Sequence, residues 1–340
     1  NFSFLRGASH PHELIETAAA EGWSSCGIAD YHTISGLVRA HQSAIEKSVK
    51  LLCGVRLIIN CSEQIEQSEQ LIEEDRIEVI IYAKNRAGYE SLSQFLSRLN
   101  MALAHIPAVK RATNLYIHVS ELARLGQDVF VIIEAPELIK NYVAGQCQQI
   151  QKFVTAPLLL GSAIYRDGND KKRLKYVSGL AARLGLGFVA LAAPLYHHPS
   201  RRPLADVLYC IRTKQTLATA GRGLSRNAER HLMKTSEYTR LWSEYPEAIM
   251  AAIQLAQACT FSLSQLSYEY PEEIVPNGRS VMDELIYQTW QGAERRYPDG
   301  IPDEVNNYLK KELALIAKLN YAPYFLTVFD IVRFARSRNI

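Results

Sequence analysis

Gly27-Ile-Ala-Asp-Tyr-His-Thr-Ile-Ser-Gly36 and, shortly after it, Leu51-Leu-Cys-Gly-Val-Arg-Leu-Ile-Ile-Asn60 decide the architecture. Ser25–Asp30 is short and apolar, and Leu51–Asn60 is almost continuously apolar. Between them, Ile34–Ser48 carries its apolar residues at helical spacing. The order reads strand, helix, strand. A strand apolar on both faces belongs inside a sheet covered on both sides. The alternation continues outward. Strands are predicted at Ile77–Ala83, Val129–Glu134, Pro157–Ser162 and Phe188–Leu191, and helices at Pro11–Glu21, Tyr89–Ala104 and Lys171–Leu184. Pro11 is tolerated in a first helical turn, where its missing N–H costs nothing, and Gly22 ends that helix. Repeated βα units of this kind predict an α/β fold built on a parallel sheet or barrel.

After Pro199 the strand signals fade. Helices are predicted at Pro203–Arg212, Ser236–Trp242 and Glu247–Cys259, then at Val281–Tyr297, Asp303–Leu319 and Tyr324–Arg338. Two prolines and a glycine in 268–278 mark a linker. The expected organisation is a first domain over 1–270, a linker over 271–278 and a helical segment over 279–340. The acid-rich run 61–76 reads as a solvated insertion rather than a cation site.

The 340 residues are 48% hydrophobic with a net charge of +3, a balance that neither requires nor excludes nucleic acid. Six cysteines are scattered, with no Cys-x-x-Cys pair, which argues against a zinc ribbon and favours a reducing, cytoplasmic setting. No apolar run approaches the roughly 20 residues of a membrane span, so no membrane partner is expected. Asn1 is not Met, and the N-terminus is expected to be a cut or a processing product.

Several runs together resemble the front of family C bacterial DNA polymerases. They are Asn1-Phe-Ser-Phe-Leu-Arg-Gly-Ala-Ser-His-Pro11, Gly27–Gly36, Cys53-Gly-Val-Arg-Leu57, Tyr196–Ile211 and Asn227-Ala-Glu-Arg-His-Leu232, with Glu312–Ile340 at the end. The first and fifth are most similar to the error-prone branch. The resemblance implies a distorted (β/α) PHP barrel (polymerase and histidinol phosphatase), then a mostly helical segment leading into the polymerase palm. By the same resemblance, the catalytic aspartates and the nucleotide loop lie beyond Ile340. The whole protein is expected to be a DNA-directed DNA polymerase of damage-induced mutagenesis and translesion synthesis. Its expected partners are Mg2+, primer–template DNA, dNTPs and, by family, a sliding clamp and other mutagenesis proteins.

PHP metal sites use His, Asp and Glu because these donate N and O ligands. Carried over residue by residue, the resemblance leaves Asp30 but puts Tyr31 where an imidazole is expected. Arg56 stands where a Glu is expected, and a guanidinium cannot ligate a metal. Ala193 and Leu195 replace an Asp-x-His pair. One remaining carboxylate predicts a metal-free, structural PHP module with no cofactor bound by this part of the protein. His10–Pro11–His12, His32 (by exchanging roles with Tyr31) and His197–His198 are the weaker metal candidates. An active metal-dependent phosphoesterase or 3′–5′ exonuclease, or a stand-alone interaction scaffold, are the alternatives.

Arg333, Arg336 and Arg338, just before the expected nucleotide loop, and Arg226 and Arg230, in a second basic group, are candidate nucleotide or nucleic-acid contacts. The group Lys171, Lys172, Arg173 and Lys175 reads as solvated surface. Tyr321, Phe325 and Phe329 share helical spacing and are expected to pack in a core. Leu313, Ile316, Phe325 and Phe329 are expected to be left uncovered without the rest of the palm, making the region after Asn277 prone to association or disorder. Asp330 is expected to be structural or to form a local ion pair.

Overall fold

The computed structural model describes residues 3–62, 75–102, 116–267, 275 and 278–340. They form two compact units, Asn1–Gln265 and Leu266–Ile340. Most of the expected 271–278 linker lies outside the described residues, as does most of the acid-rich run.

The first unit runs α1 (Pro11–Ala20), β1 (Ser25–Tyr31), α2 (Leu37–Lys47), β2 (Lys50–Asn60), β3 (Arg76–Ala83), α3 (Arg86–Ala102), β4 (Ile117–His118), β5 (Val129–Glu134), α4 (Val143–Phe153), β6 (Leu158–Ala163), α5 (Asp170–Leu184) and β7 (Gly187–Leu191). Then come α6 (Arg202–Thr213), α7 (Leu217–Ala220), α8 (Thr235–Leu241) and α9 (Pro246–Ala258). The strands pair in the order β1-β2-β3-β5-β6-β7, with β4 also on β2, as an open, curled half-barrel.

The sheet is not wholly parallel. β1/β2, β2/β4, β5/β6 and β6/β7 are parallel, whereas β3 runs antiparallel to both β2 and β5. The reason lies at one end of the sheet. Asn60 pairs with Arg76, and the Cys61 N–H donates to the Asp75 carbonyl at 2.7 Å, so the chain leaves β2 and enters β3 at the same edge. A parallel partner would need the chain carried back across the sheet first.

Both faces are covered, which is why the strands read as apolar runs. On the outer face, Val55, Leu57, Val79, Ile81, Val131 and Ile133 meet helices α3, α4 and α5, while Ile28, Leu51 and Cys53 meet α1 and α2. On the inner face, Leu52, Ile80, Ile132 and Val189 pack under Leu255 of α9 and Cys259 just after it. Arg173 corrects the surface reading of its group. Its side chain is only 1% exposed, beside Asp170 and Asp167 and 4.5 Å from the Tyr165 ring centroid.

The second unit contains α10 (Val281–Arg296), α11 (Asp303–Leu319) and α12 (Ala322–Ser337). Ser280 caps α10 by accepting from the Asp283 N–H at 3.1 Å, and Asn320, with φ 54°, turns the chain between α11 and α12. Its small core joins Leu285, Leu313, Ile316, Ala322 and Leu326. Leu313 and Ile316 are therefore buried, not uncovered as expected. Conversely, Tyr321 and Phe325 are exposed and Phe329 only half-buried, because Ala322 and Leu326 are the α12 residues that face the core. No single described helix is long and apolar enough to cross a membrane.

Candidate functional site

On the inner face, the register places Glu78 of β3 directly opposite Glu134 of β5. Two like charges in cross-strand positions repel. Arg56 of β2 resolves the conflict. Its Nη1 donates to Glu78 Oε2 at 3.0 Å and also to Glu134 Oε2. Tyr31, the neighbour of Arg56 across β1/β2, donates its hydroxyl to the same Glu78 oxygen at 2.6 Å. The guanidinium of Arg6 lies 4.1 Å from the Tyr31 ring centroid. Asp30 accepts the Ser3 hydroxyl, whose oxygen also accepts the Tyr31 N–H at 3.1 Å.

The electrostatics follow from this packing. Burial alone would raise the Glu78 pKa, but Arg56, the Tyr31 hydroxyl and Arg6 outweigh it and hold the carboxyl below its ordinary value. Glu134 stays above its ordinary value, because burial and the Glu78 charge exceed the pull of Arg56. Burial opposes the charge on Arg56, yet Glu134, Tyr31 and Glu78 hold it firmly protonated. Burial and then Arg6 push His32 down to about 4, so its imidazole is neutral near pH ~7.

Arg6, Asp30, Tyr31 and Arg56 border a cavity of about 460 Å³ whose lining also includes Tyr82, Ala193 and Arg230. Arg230 donates from Nε and Nη2 to the Ala193 carbonyl at 3.2 and 3.1 Å. The Leu195 N–H donates to the Arg230 carbonyl at 2.8 Å, and the Leu195 carbonyl accepts from the Ala8 N–H at 2.8 Å. Ala193 and Leu195 thus clamp backbone in place of offering ligands.

The donor set does not fit a metal cluster. Both glutamates are engaged by a permanent cation, and a divalent ion between them would face its repulsion. Among the described residues, no group of three or more His, Cys, Asp or Glu is placed to hold a metal ion.

Residues 1–136 match the PHP domain family, and residues 283–340 match the bacterial DNA polymerase III alpha NTPase domain. The whole chain is 38% identical over 341 residues to an error-prone DNA polymerase of Brucella abortus and 37% identical over 356 residues to one of Bradyrhizobium sp.. Over its whole length the chain is similar to the N-terminal region of error-prone DNA polymerases. It spans 30% and 28% of the length of those two relatives. An amidohydrolase structure from Chromobacterium violaceum is similar at 11% identity and a TM-score of 0.40, covering 54% of this chain and 82% of that one.

Within the first unit, the structure brings together Asp30, Tyr31, Arg56, Ala193, Leu195 and Arg230 around one cavity. Arg226 is not part of that lining; its charge acts on Asp167. Arg333, in the second unit, pairs with Asp330 at 2.7 Å and lies 5.7 Å from the Phe329 ring centroid. Arg338, just past the end of α12, lies 5.5 Å from the Phe334 ring centroid, and Arg336 lies in the last turn of that helix. His10 and His12 stack at 5.4 Å beside the start of α1, where the His10 N–H donates to Glu13 at 2.8 Å. His197 bonds Ser9 at 2.7 Å, and His198 accepts from the Ser200 N–H at 3.2 Å.

Glu78 and Glu134 were missed, which corrects the count of one remaining carboxylate. The available signal was a lone acid in an otherwise apolar strand, at Glu78 in Arg76–Ala83 and at the end of Val129–Glu134. Such a residue is costly to bury unless paired.

Proposed function

We propose that this chain contributes the front part of a DNA-directed DNA polymerase acting in damage-induced mutagenesis and translesion synthesis, with its PHP unit kept as a metal-free scaffold. The observation that carries the scaffold reading is Arg56 bridging Glu78 and Glu134. A guanidinium does there, in place, what a metal would do for the two carboxylates, but it offers no open coordination position and generates no hydroxide. The phosphoesterase reading has no comparable support.

The polymerase reading rests on the error-prone polymerase relatives. In the whole protein, primer–template DNA, dNTPs and Mg2+ are the proposed ligands, with a sliding clamp and other mutagenesis proteins as proposed partners in the cytoplasm. Arg333, Arg336 and Arg338 are proposed to face phosphate groups. Phosphoryl transfer by two divalent ions then belongs to residues outside this chain.

Two measurements test the proposal. The chain is equilibrated with excess Mn2+ or Zn2+, passed through a desalting column and assayed for bound metal and for phosphomonoester hydrolysis. Substoichiometric metal and no hydrolysis are expected, and tight binding of two or more ions per chain would overturn the scaffold reading. Primer extension by the full-length protein tests the polymerase reading. Arg333→Ala and Arg336→Ala are expected to raise the KM for dNTP, and no extension by the full-length wild type would overturn it.

A further inference from the structure

The cavity beside Tyr31 runs the length of β1. Its lining takes in every residue of Ser25–Tyr31 on one side and of Val189–Leu195 on the other. β1 and β7 are the two ends of the strand order, so this space is the gap where the half-barrel does not close. Seven residues of extended chain span about 20 Å. Spread over that length, 460 Å³ leaves a mean section of roughly 20 Å². That is room for one extended aliphatic chain and too little for a fused ring system.

The long wall is apolar. Leu52, Ile80, Ile132 and Val189 line it from the sheet, and Ala252 and Leu255 line it from α9. Apolar walls with a few placed polar groups are the usual make-up of a small-molecule site.

One end is cationic. Arg6 and Arg56 lie 4.1 and 5.4 Å from the Tyr31 ring centroid, and both line the cavity. Arg56 is committed to Glu78 and Glu134. Arg6 is not committed: its Nε is buried without a hydrogen-bond partner. Arg230 also lines this end, held by the Ala193 carbonyl and lying 4.6 Å from the Tyr165 ring centroid. The Ala8 N–H donates to Leu195, whose own N–H donates to Arg230, each at 2.8 Å, so the segments carrying the two arginines are laced together. Among the described residues, neither Arg6 nor Arg230 is within ion-pair distance of a carboxylate. Buried cations are normally paired, and a guanidinium fork matches a carboxylate. A monoanion suits this end better than a dianion, because Asp30, Glu78 and Glu134 stand round it.

We propose that the cavity binds a medium- or long-chain aliphatic carboxylate. Its chain lies along the inner face between β1 and β7, and its head meets Arg6, with Arg230 beside it. The site lies in the first unit and leaves the Arg56 bridge intact, so its failure would touch neither the scaffold reading nor the polymerase reading.

The test titrates the 340-residue chain with sodium dodecanoate by isothermal calorimetry, at constant pH and ionic strength. Saturable one-to-one binding is expected, about fourfold weaker for each methylene removed on going to decanoate and octanoate. Dodecanol is expected to bind about tenfold more weakly than dodecanoate, and Arg6→Gln to remove most of that difference. Ala252→Phe, which puts a ring into the bore, is expected to abolish binding. Should that variant lose its folded circular dichroism spectrum, Ala256→Leu fills the same wall with a smaller side chain.

The proposal fails if the wild type shows no saturable binding up to about 1 mM dodecanoate. It fails equally if octanoate or dodecanol binds as tightly as dodecanoate. Unchanged binding by a folded bore-filling variant would also overturn it, since the ligand would then rest elsewhere. Tighter binding of dodecyl phosphate than of dodecanoate would overturn the carboxylate assignment.

Discussion

Arg56 holds two glutamates that would otherwise face each other across β3 and β5, and its own side chain is only 14% exposed. Removing one partner of a buried ion pair is far costlier than the pair is worth, because the remaining charge stays buried. Arg56→Met is therefore expected to destabilise the first unit by about 3 kcal/mol at neutral pH, read as a lower urea midpoint. The sign of the pH effect follows from the shifts. In the wild type, Glu78 lies below its ordinary value, and its stabilisation is lost as pH falls through its folded pKa. Glu134 lies above its ordinary value, and its contribution is lost as pH rises through that window. In the variant neither acid has the guanidinium, so both folded pKa values rise and protonation relieves the repulsion. The stability gap between wild type and variant should narrow from pH ~7 to ~5. A gap that widens on acidification would show that the bridge is not what the variant loses. Tyr31, Arg56, Ala193 and Leu195 were legible as departures from a motif. Their glutamate partners were not, because an acid among Ile and Val looks the same in sequence whether it faces solvent or a buried cation.

The helices and strands themselves were nearly all legible. Val129–Glu134 and Asp303–Leu319 match the expected bounds, and most others differ by one to three residues. Two features of the sheet were not. The reversal of β3 depends on which edge the chain re-enters, and β4 is only two residues long. The role of α9 was also hidden, since an apolar helix can cover either face. One close approach locks α3 to the sheet. A Cβ on Gly88 would come 1.9 Å from the Asp128 carbonyl oxygen, a backbone atom that cannot swing aside. Gly88→Ala should therefore cost roughly 1–3 kcal/mol through overpacking, despite the better helix propensity of alanine. Thermal denaturation checks this. An unchanged or raised melting temperature would mean that α3 shifts freely against the β3–β5 edge.

At the scale of the whole molecule, the two units have separate cores. The first has a seven-stranded sheet covered on both faces, whereas the second rests on a few side chains and leaves Tyr324, Phe325, Ile331 and Phe334 exposed on α12. Apolar patches of that kind favour association. A chain ending at Gln265 should remain folded and monodisperse, while the 340-residue chain should self-associate with concentration in light scattering. Equal monodispersity of the two would remove α12 as the cause.

The sequence by itself determined the alternation of elements and the change to helices after Pro199, because periodicity and residue chemistry act over a few neighbours. Only the tertiary structure decided that Arg56 meets Glu78 and Glu134, that Arg6 lies over Tyr31 and that β3 runs backwards. Those contacts join residues dozens of positions apart. Their pairing depends on strand register and the curl of the sheet, which no local pattern records.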